Sequence, residues 1–161
     1  MADFHSLKIK THALSLKEVF DPTSIAVIGA SDKPNSVGMK VFKNLLQGKF
    51  IGKLYAVNPK HKYIQGQPSY TSVKKINDQV DLVIITTPAK VVSRVLKECG
   101  EKGVRAVIII SSGFSETGQA GKTREQKLLT IAKKYSIISQ QWRNSKGCLI
   151  FYGKIWESSM R

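Results

Sequence analysis

Apolar residues in this chain gather into short unbroken runs, and the segments between them carry helical spacing. Ile25-Ala26-Val27-Ile28, Leu54-Tyr55-Ala56-Val57, Leu82-Val83-Ile84-Ile85 and Ala106-Val107-Ile108-Ile109-Ile110 are the runs, and none alternates apolar with polar positions. A strand buried on both faces reads in this way, so each run predicts a strand within a covered parallel sheet. After Gly38, Val41 and Leu45 form one i, i+4 pair and Phe42 and Leu46 another, with Lys40, Lys43 and Asn44 opposite and Gly48 as a stop. A second helix carries Val91, Val92, Val95, Leu96 and Cys99 on one side and closes at Gly100 or Gly103. A third, over about 121–135, buries Leu128, Leu129, Ile131 and Ala132.

The remaining segments are less regular. Residues 1–13 read as a mobile arm, and 14–20 as a short helix with Leu16, Val19 and Phe20 on one side. Asp21-Pro22 ends it, because the residue before proline avoids the helical region. A turn-rich stretch at 64–68 surrounds a minor strand, 72–76 forms a single helical turn, and 136–138 forms a last strand. Strand and helix in alternation predict an α/β fold, a Rossmann-like doubly wound parallel sheet in a single domain over 14–138. Residues 139–161 fall outside that pattern as a divergent tail.

In such sheets ligands bind outside the carboxyl ends of the strands. Four loops lie there, and they concentrate small and polar residues: Gly29, Ala30, Ser31, Asn35, Ser36, Val37 and Gly38 after the first strand; Asn58, Pro59 and Lys60 after the second; Thr87 and Pro88 after the third run; Ser111, Ser112 and Gly113 after the fourth. The first loop is the most informative. A strand that ends in a glycine turn and leads into a helix N-terminus favours an anion, through exposed N–H groups and the helix dipole. The bland alternative is that any doubly wound fold needs a tight first turn.

Composition narrows the ligand. The 161 residues include 26 Lys+Arg against 11 Asp+Glu, for a net charge of +15. Nucleic acid is one partner class for such a chain, but the cations are mostly scattered lysines with no aromatic interleaving, so no specific nucleic-acid contact is expected. No apolar run approaches the ~20 residues of a membrane span, and no membrane association is expected. Cys99 and Cys148 are the two cysteines, which suits a reducing cytoplasm. A dinucleotide would be the default ligand. Against NAD, eight residues separate Gly29 from Gly38, unlike the compact G-x-G-x-x-G, and Lys60 stands where an acid would bind ribose hydroxyls. NADP, whose 2′-phosphate a lysine can meet, stays open as an oxidoreductase alternative.

Four strings occur in order on these strand ends: Ser24-Ile25-Ala26-Val27-Ile28-Gly29-Ala30-Ser31; Val57-Asn58-Pro59-Lys60; Val80-Asp81-Leu82-Val83-Ile84 with Thr87-Pro88-Ala89; and Ile109-Ile110-Ser111-Ser112-Gly113-Phe114-Ser115-Glu116. Together they resemble the CoA-binding domain of NDP-forming acyl-CoA synthetases, of related protein lysine acetyltransferases and of the succinyl-CoA synthetase alpha subunit. The resemblance implies CoA or acyl-CoA as the bound molecule. It places CoA phosphates on residues 31–38, a phosphate of the 3′-phospho-ADP portion on Lys60, the adenine or pantetheine path along Thr87 and Pro88, and the pantetheine arm beside Ser111, Ser112 and Gly113. It also implies ligase partners, either remaining domains or an ATP-grasp beta subunit.

After residue 138 the likeness stops. The family continues with a Gly-Pro-Asn motif and a domain carrying a phosphorylated histidine, neither of which follows here. A truncated or frame-shifted product is one expectation, and a standalone variant with its own tail the other. The tail is then either loosely packed or adds an edge strand or oligomer contact at 149–152. His5, His12 and His61 occupy no phosphoryl-transfer motif, and no Walker A string or metal-ligand spacing occurs. No catalytic residue and no metal ligand is assigned. The chain by itself is expected to bind CoA without turning it over.

Overall fold

β1 (Ser24–Ile28) is buried at every position and forms the centre of the sheet. The structure, a computed structural model, describes residues 21–104, 106–114, 117–135, 137–144 and 147–153. The arm and short helix expected over 1–20 lie outside them. After β1 come α1 (Val37–Gln47), β2 (Lys53–Val57), β3 (Tyr63–Ile64), β4 (Gln67–Tyr70) and a 3-10 turn (Val73–Lys75). β5 (Leu82–Ile85), α2 (Ala89–Lys102), β6 (Ala106–Ser111), α3 (Gln119–Lys134), β7 (Ile138–Asn144) and β8 (Gly147–Gly153) complete the described chain.

The strand order is β3-β4-β2-β1-β5-β6-β8-β7. β4, β2, β1, β5 and β6 run parallel, in registers such as Ile28 opposite Val57 and Ile85, and Ile85 opposite Ile109. From β1 the chain crosses through α1 to β2 on one side, whereas β5 crosses through α2 to β6 on the other. The order therefore reverses beside β1, and the crevice at that switch point lies outside the carboxyl ends of β1 and β5.

The unbroken apolar runs follow from this two-sided covering. Along β1, Ala26 and Ile28 join a cluster with Val92, Leu96 and Cys99 of α2, Leu128 and Ala132 of α3, and Val73 and Ile76 near the 3-10 turn. Ile25 and Val27 face the other way, against Phe42, Val41, Leu45 and Leu46 of α1. Both strand faces are thus dry, and no polar residue can alternate in without losing its hydration.

Local chemistry sets the element ends. Gly103, in the left-handed region at φ 75°, closes α2, with its N–H and that of Val104 returning to Gly100 and Cys99 carbonyls. Gly100 stays inside the helix, where a β-carbon would crowd the ring of Tyr135, the residue that caps the end of α3. At the opposite edge of the sheet from the loops, buried Asp81 accepts from the Thr23 N–H at 3.0 Å and its hydroxyl at 2.6 Å. Asp81 N–H in turn donates to Ser24 Oγ, which clamps β1 to the start of β5.

Two features extend the expected sheet. The turn-rich 64–68 stretch is a hairpin, and its second strand, β4, adds to the parallel sheet beside β2. In the tail, β8 pairs antiparallel with β6, Ile150 opposite Ile109, and β7 lies outside β8. Of the readings open for the tail, a strand at 149–152 is present within β8, but it pairs with β6 on one side and β7 on the other rather than forming the sheet edge.

Candidate functional site

The loop after β1 is built from two turns and a cap. Gly29 adopts φ 94°, and its N–H donates across to the Val57 carbonyl at 2.9 Å. Lys33-Pro34-Asn35-Ser36 then forms a β-turn closed by Ser36 N–H to Lys33 O at 3.2 Å. Proline at its second position and a left-handed Asn35 (φ 63°) at its third match a type II turn. Ser36 caps α1: its Oγ accepts from Met39 N–H at 3.2 Å and donates to Lys33 O at 2.8 Å. The N–H groups of Val37 and Gly38, at the first and second helical positions, have no intrahelical acceptor.

Side chains tie this loop to its neighbours. Asn58 Nδ2 donates to the Ala30 carbonyl at 2.8 Å, while its Oδ1 accepts from Lys60 N–H at 2.8 Å. One amide therefore pins the end of β2 to the first loop and turns the chain at Lys60, an Asx-turn arrangement. Thr86 donates to the Ile28 carbonyl from both its N–H and its hydroxyl. Ser111 Oγ donates to Thr87 O at 2.8 Å and links the loops after β5 and β6. From the β3–β4 hairpin, Gln65 donates to Asp32 and to the Ser31 and Met39 carbonyls.

The β6–α3 connection repeats the device after β1. Gly113, at φ 103°, packs on Ala89 at the start of α2. Thr117 Oγ1 donates to the Phe114 carbonyl at 2.8 Å, and a β-carbon on Gly121 would stand 1.6 Å from that same oxygen. Arg124 donates to the Gly113 carbonyl from the second turn of α3.

The four loops expected to carry the site thus meet on one sheet edge, but their residues divide by role. Gly29, Asn58 and Ser36 shape the backbone through hydrogen bonds within the protein, and Gly38 does so by packing on the Gly29 carbonyl, which leaves its N–H without an intrahelical acceptor. Ala30 is buried, whereas Ser31 and Val37 line the loop surface. Asn35, Pro59, Lys60, Pro88 and Ser112 are exposed. Pro88 is the cap residue of α2, one place before the first turn in which its ring was expected. Thr87 Oγ1 is buried without a hydrogen-bond partner, an orphaned hydroxyl at the carboxyl end of β5. Sequence reading passed over Gln65, Thr86 and Arg124. Each acts through a contact from another segment, although the Gln65-Gly66 pair does carry a hairpin signal.

Charge at this edge is mostly positive: Lys33, Lys60 and Lys62 are exposed there, with Asp32 bonded to the Gln65 N–H. Partial burial and the Asp78 carboxylate push the Tyr55 hydroxyl up to about 12, and the ammonium of Lys53 holds Asp78 below the usual carboxylate range. An open groove of about 560 Å³ between the 3-10 turn and α2 includes none of the loop residues. Its acids are engaged, Glu98 by Ser72 and Glu101 by Lys74, so the groove does not mark the site.

Comparison with known proteins bears on the same residues. Residues 23–148 match the family described as CoA binding domain. The chain is 51% identical over 118 residues to the alpha subunit of an ADP-forming acetate–CoA ligase II of Pyrococcus furiosus, covering 73% of this chain and 26% of that one. Against the ADP-forming 4-hydroxybutyrate–CoA ligase of Nitrosopumilus maritimus, identity is 41% over 119 residues, or 74% and 17% of the two chains. The structure of a dinucleotide-forming acetyl-coenzyme A synthetase 1 of Ca. Korarchaeum cryptofilum, in complex with phosphate and ADP, superposes with a TM-score of 0.71 at 36% identity. That match covers 75% of this chain and 26% of that one. The chain spans about a quarter or less of these relatives' lengths.

Proposed function

This chain belongs to the CoA-binding domain family, and on that premise we propose that its four loops hold CoA or acyl-CoA as the binding module of an ADP-forming acid–CoA ligase. The observation that carries the reading is the meeting of the loops after β1, β2, β5 and β6 at the switch point. A helix N-terminus opens there beside a buried hydroxyl that lacks a partner.

CoA is a polyanion with a thin flexible arm, and the edge suits both parts. The N–H groups of Val37 and Gly38 and the dipole of α1 favour the diphosphate, with Ser31 beside them. Lys60, aimed by the Asn58 turn, meets a phosphate of the 3′-phospho-ADP portion. Thr87 offers its hydroxyl along the path beside Pro88, and Ser111, Ser112 and Gly113 present little bulk to the pantetheine arm. Ser36 and Asn58 position the loops and leave the ligand contacts to their neighbours. Acid activation and phosphoryl transfer belong in this reading to further ligase domains or an ATP-grasp beta subunit.

Calorimetry tests the assignment. The protein is expected to bind CoA more tightly than dephospho-CoA, and Lys60→Ala to remove most of a preference of about tenfold, the scale of a charge-assisted hydrogen bond. Equal affinity for the two ligands would overturn the role of Lys60, and saturable binding of NADPH without CoA would overturn the ligand class.

A further inference from the structure

Gln65 makes two contacts with the first loop and one with the start of α1, although 33 residues separate it from Asp32. Its N–H donates to Asp32 Oδ1 at 2.8 Å, and its Nε2 donates to the Met39 carbonyl at 3.0 Å, with a longer 3.4 Å contact to the Ser31 carbonyl. These partners bracket the loop: Ser31 and Asp32 open it, and Met39 lies in the first turn of α1. We propose that Gln65 is a positioning residue for the anion loop, with the β3–β4 hairpin as the fixed wall from which it acts. This inference rests on the CoA reading and names the group that holds the CoA phosphate cradle in shape.

The loop needs such support. Backbone N–H groups bind an anion well only when they are held in place before it arrives. Between Gly29 and Ser36 the loop is stabilised internally by one β-turn, by Ser36 Oγ donating to Lys33 O and by Lys33 N–H donating to Ser31 Oγ, and Asp32 takes no part in any of them. Asp32 would oppose a phosphate if its carboxylate swung into the cradle, and the bond from Gln65 N–H holds it toward the hairpin. The residue chosen at position 65 is itself informative. Gln65 (φ 47°) and Gly66 (φ 77°) are the two left-handed residues of a two-residue hairpin loop, for which Asn-Gly is the favoured pair. Glutamine is less suited to that backbone, but its extra methylene carries the amide to Met39.

Gln65→Asn separates the two demands. It keeps the backbone N–H for Asp32 and suits the left-handed turn better, but its amide is one methylene too short to reach the Met39 carbonyl. Thermal melting and calorimetry on the full chain are expected to show an unchanged or higher Tm together with CoA binding about fivefold weaker, the equilibrium worth of one neutral hydrogen bond. Dephospho-CoA weakens by the same factor, so the ratio that Lys60→Ala changes stays constant. CoA binding within twofold of the unaltered protein overturns the inference, as does a loss of affinity that comes with a lower Tm. If the unaltered protein itself shows no saturable CoA response, the proposed function fails. Amide exchange over residues 31–38 then decides the positioning role alone: faster exchange in Gln65→Asn supports it, and unchanged exchange overturns it.

Discussion

The α-carbon of Gly38 lies against the carbonyl oxygen of Gly29, so close that a β-carbon on Gly38 would come within 1.9 Å of that oxygen. The same added carbon would stand 3.0 Å from Thr86 Oγ1, and one on Gly29 would stand 2.8 Å from it. Two glycines and a threonine therefore form one contact in which the end of β1, the start of α1 and the end of β5 meet without intervening side chains. The helix N-terminus is brought to the sheet edge by this contact, which is a requirement of packing before it is one of binding.

Gly38→Ala is expected to destabilise the fold by about 1–3 kcal/mol, the usual cost of forcing extra atoms into a packed site. It should also weaken CoA binding, because the helix end must retreat from β1. Gly121→Ala should cost a similar amount by displacing the Phe114 carbonyl. Urea unfolding midpoints for the two variants, each read against the unaltered protein, check the expectation.

Ser36 separates capping from ligand contact. Its hydroxyl proton is directed to Lys33 O and a lone pair to Met39 N–H. Ser36→Ala should cost about 1 kcal/mol of stability and Ser36→Gly only a few tenths, as at other helix N-caps. CoA affinity in Ser36→Gly should stay near that of the unaltered protein. A large loss there, measured calorimetrically, would mean that the hydroxyl itself meets the ligand.

The Tyr55–Asp78–Lys53 cluster makes stability depend on pH from both directions. Tyr55 donates to Asp78 Oδ2 at 2.6 Å, and Lys53 Nζ to the same oxygen at 2.8 Å. With the Tyr55 pKa raised from 10.0 to about 12, first by burial and then by Asp78, its stabilising effect is complete below pH 10 and lost as pH climbs toward 12. Asp78, held low first by Lys53 and then by Tyr55, stabilises above the ordinary carboxylate pKa, and that effect is lost as pH falls through its lowered value in the fold. Denaturant midpoints against pH should therefore fall at both ends. Tyr55→Phe should flatten the alkaline limb between pH 10 and 12 and leave Lys53 to act on Asp78.

Much of the architecture was legible along the chain. The runs at 25–28, 82–85 and 106–110 announced their strands because a strand dry on both faces leaves no place for alternating polar residues, and the small-residue loops marked the carboxyl edge of the sheet. Some turn chemistry was legible as well, since Gly66 and Pro68 mark the turn-rich stretch that forms the hairpin. The tail was not. It has the residues of a strand, but its place beside β6 depends on which edge of the sheet is unpaired once the other strands are in position.

The sequence by itself therefore determined which segments are buried, where they turn and which loops share the carboxyl edge of the sheet, because burial and backbone preference are written in neighbouring residues. Only the tertiary structure decided which contacts each loop residue makes within the protein. Asn58 reaches Ala30, Gln65 reaches Met39 and Gly38 meets Gly29 through contacts between segments 9 to 28 residues apart. Such contacts depend on the separation and angle at which the finished sheet and helices pack, quantities that no local pattern encodes. A residue type suited to phosphate can then be turned inward to hold the backbone, as Ser36 and Asn58 are.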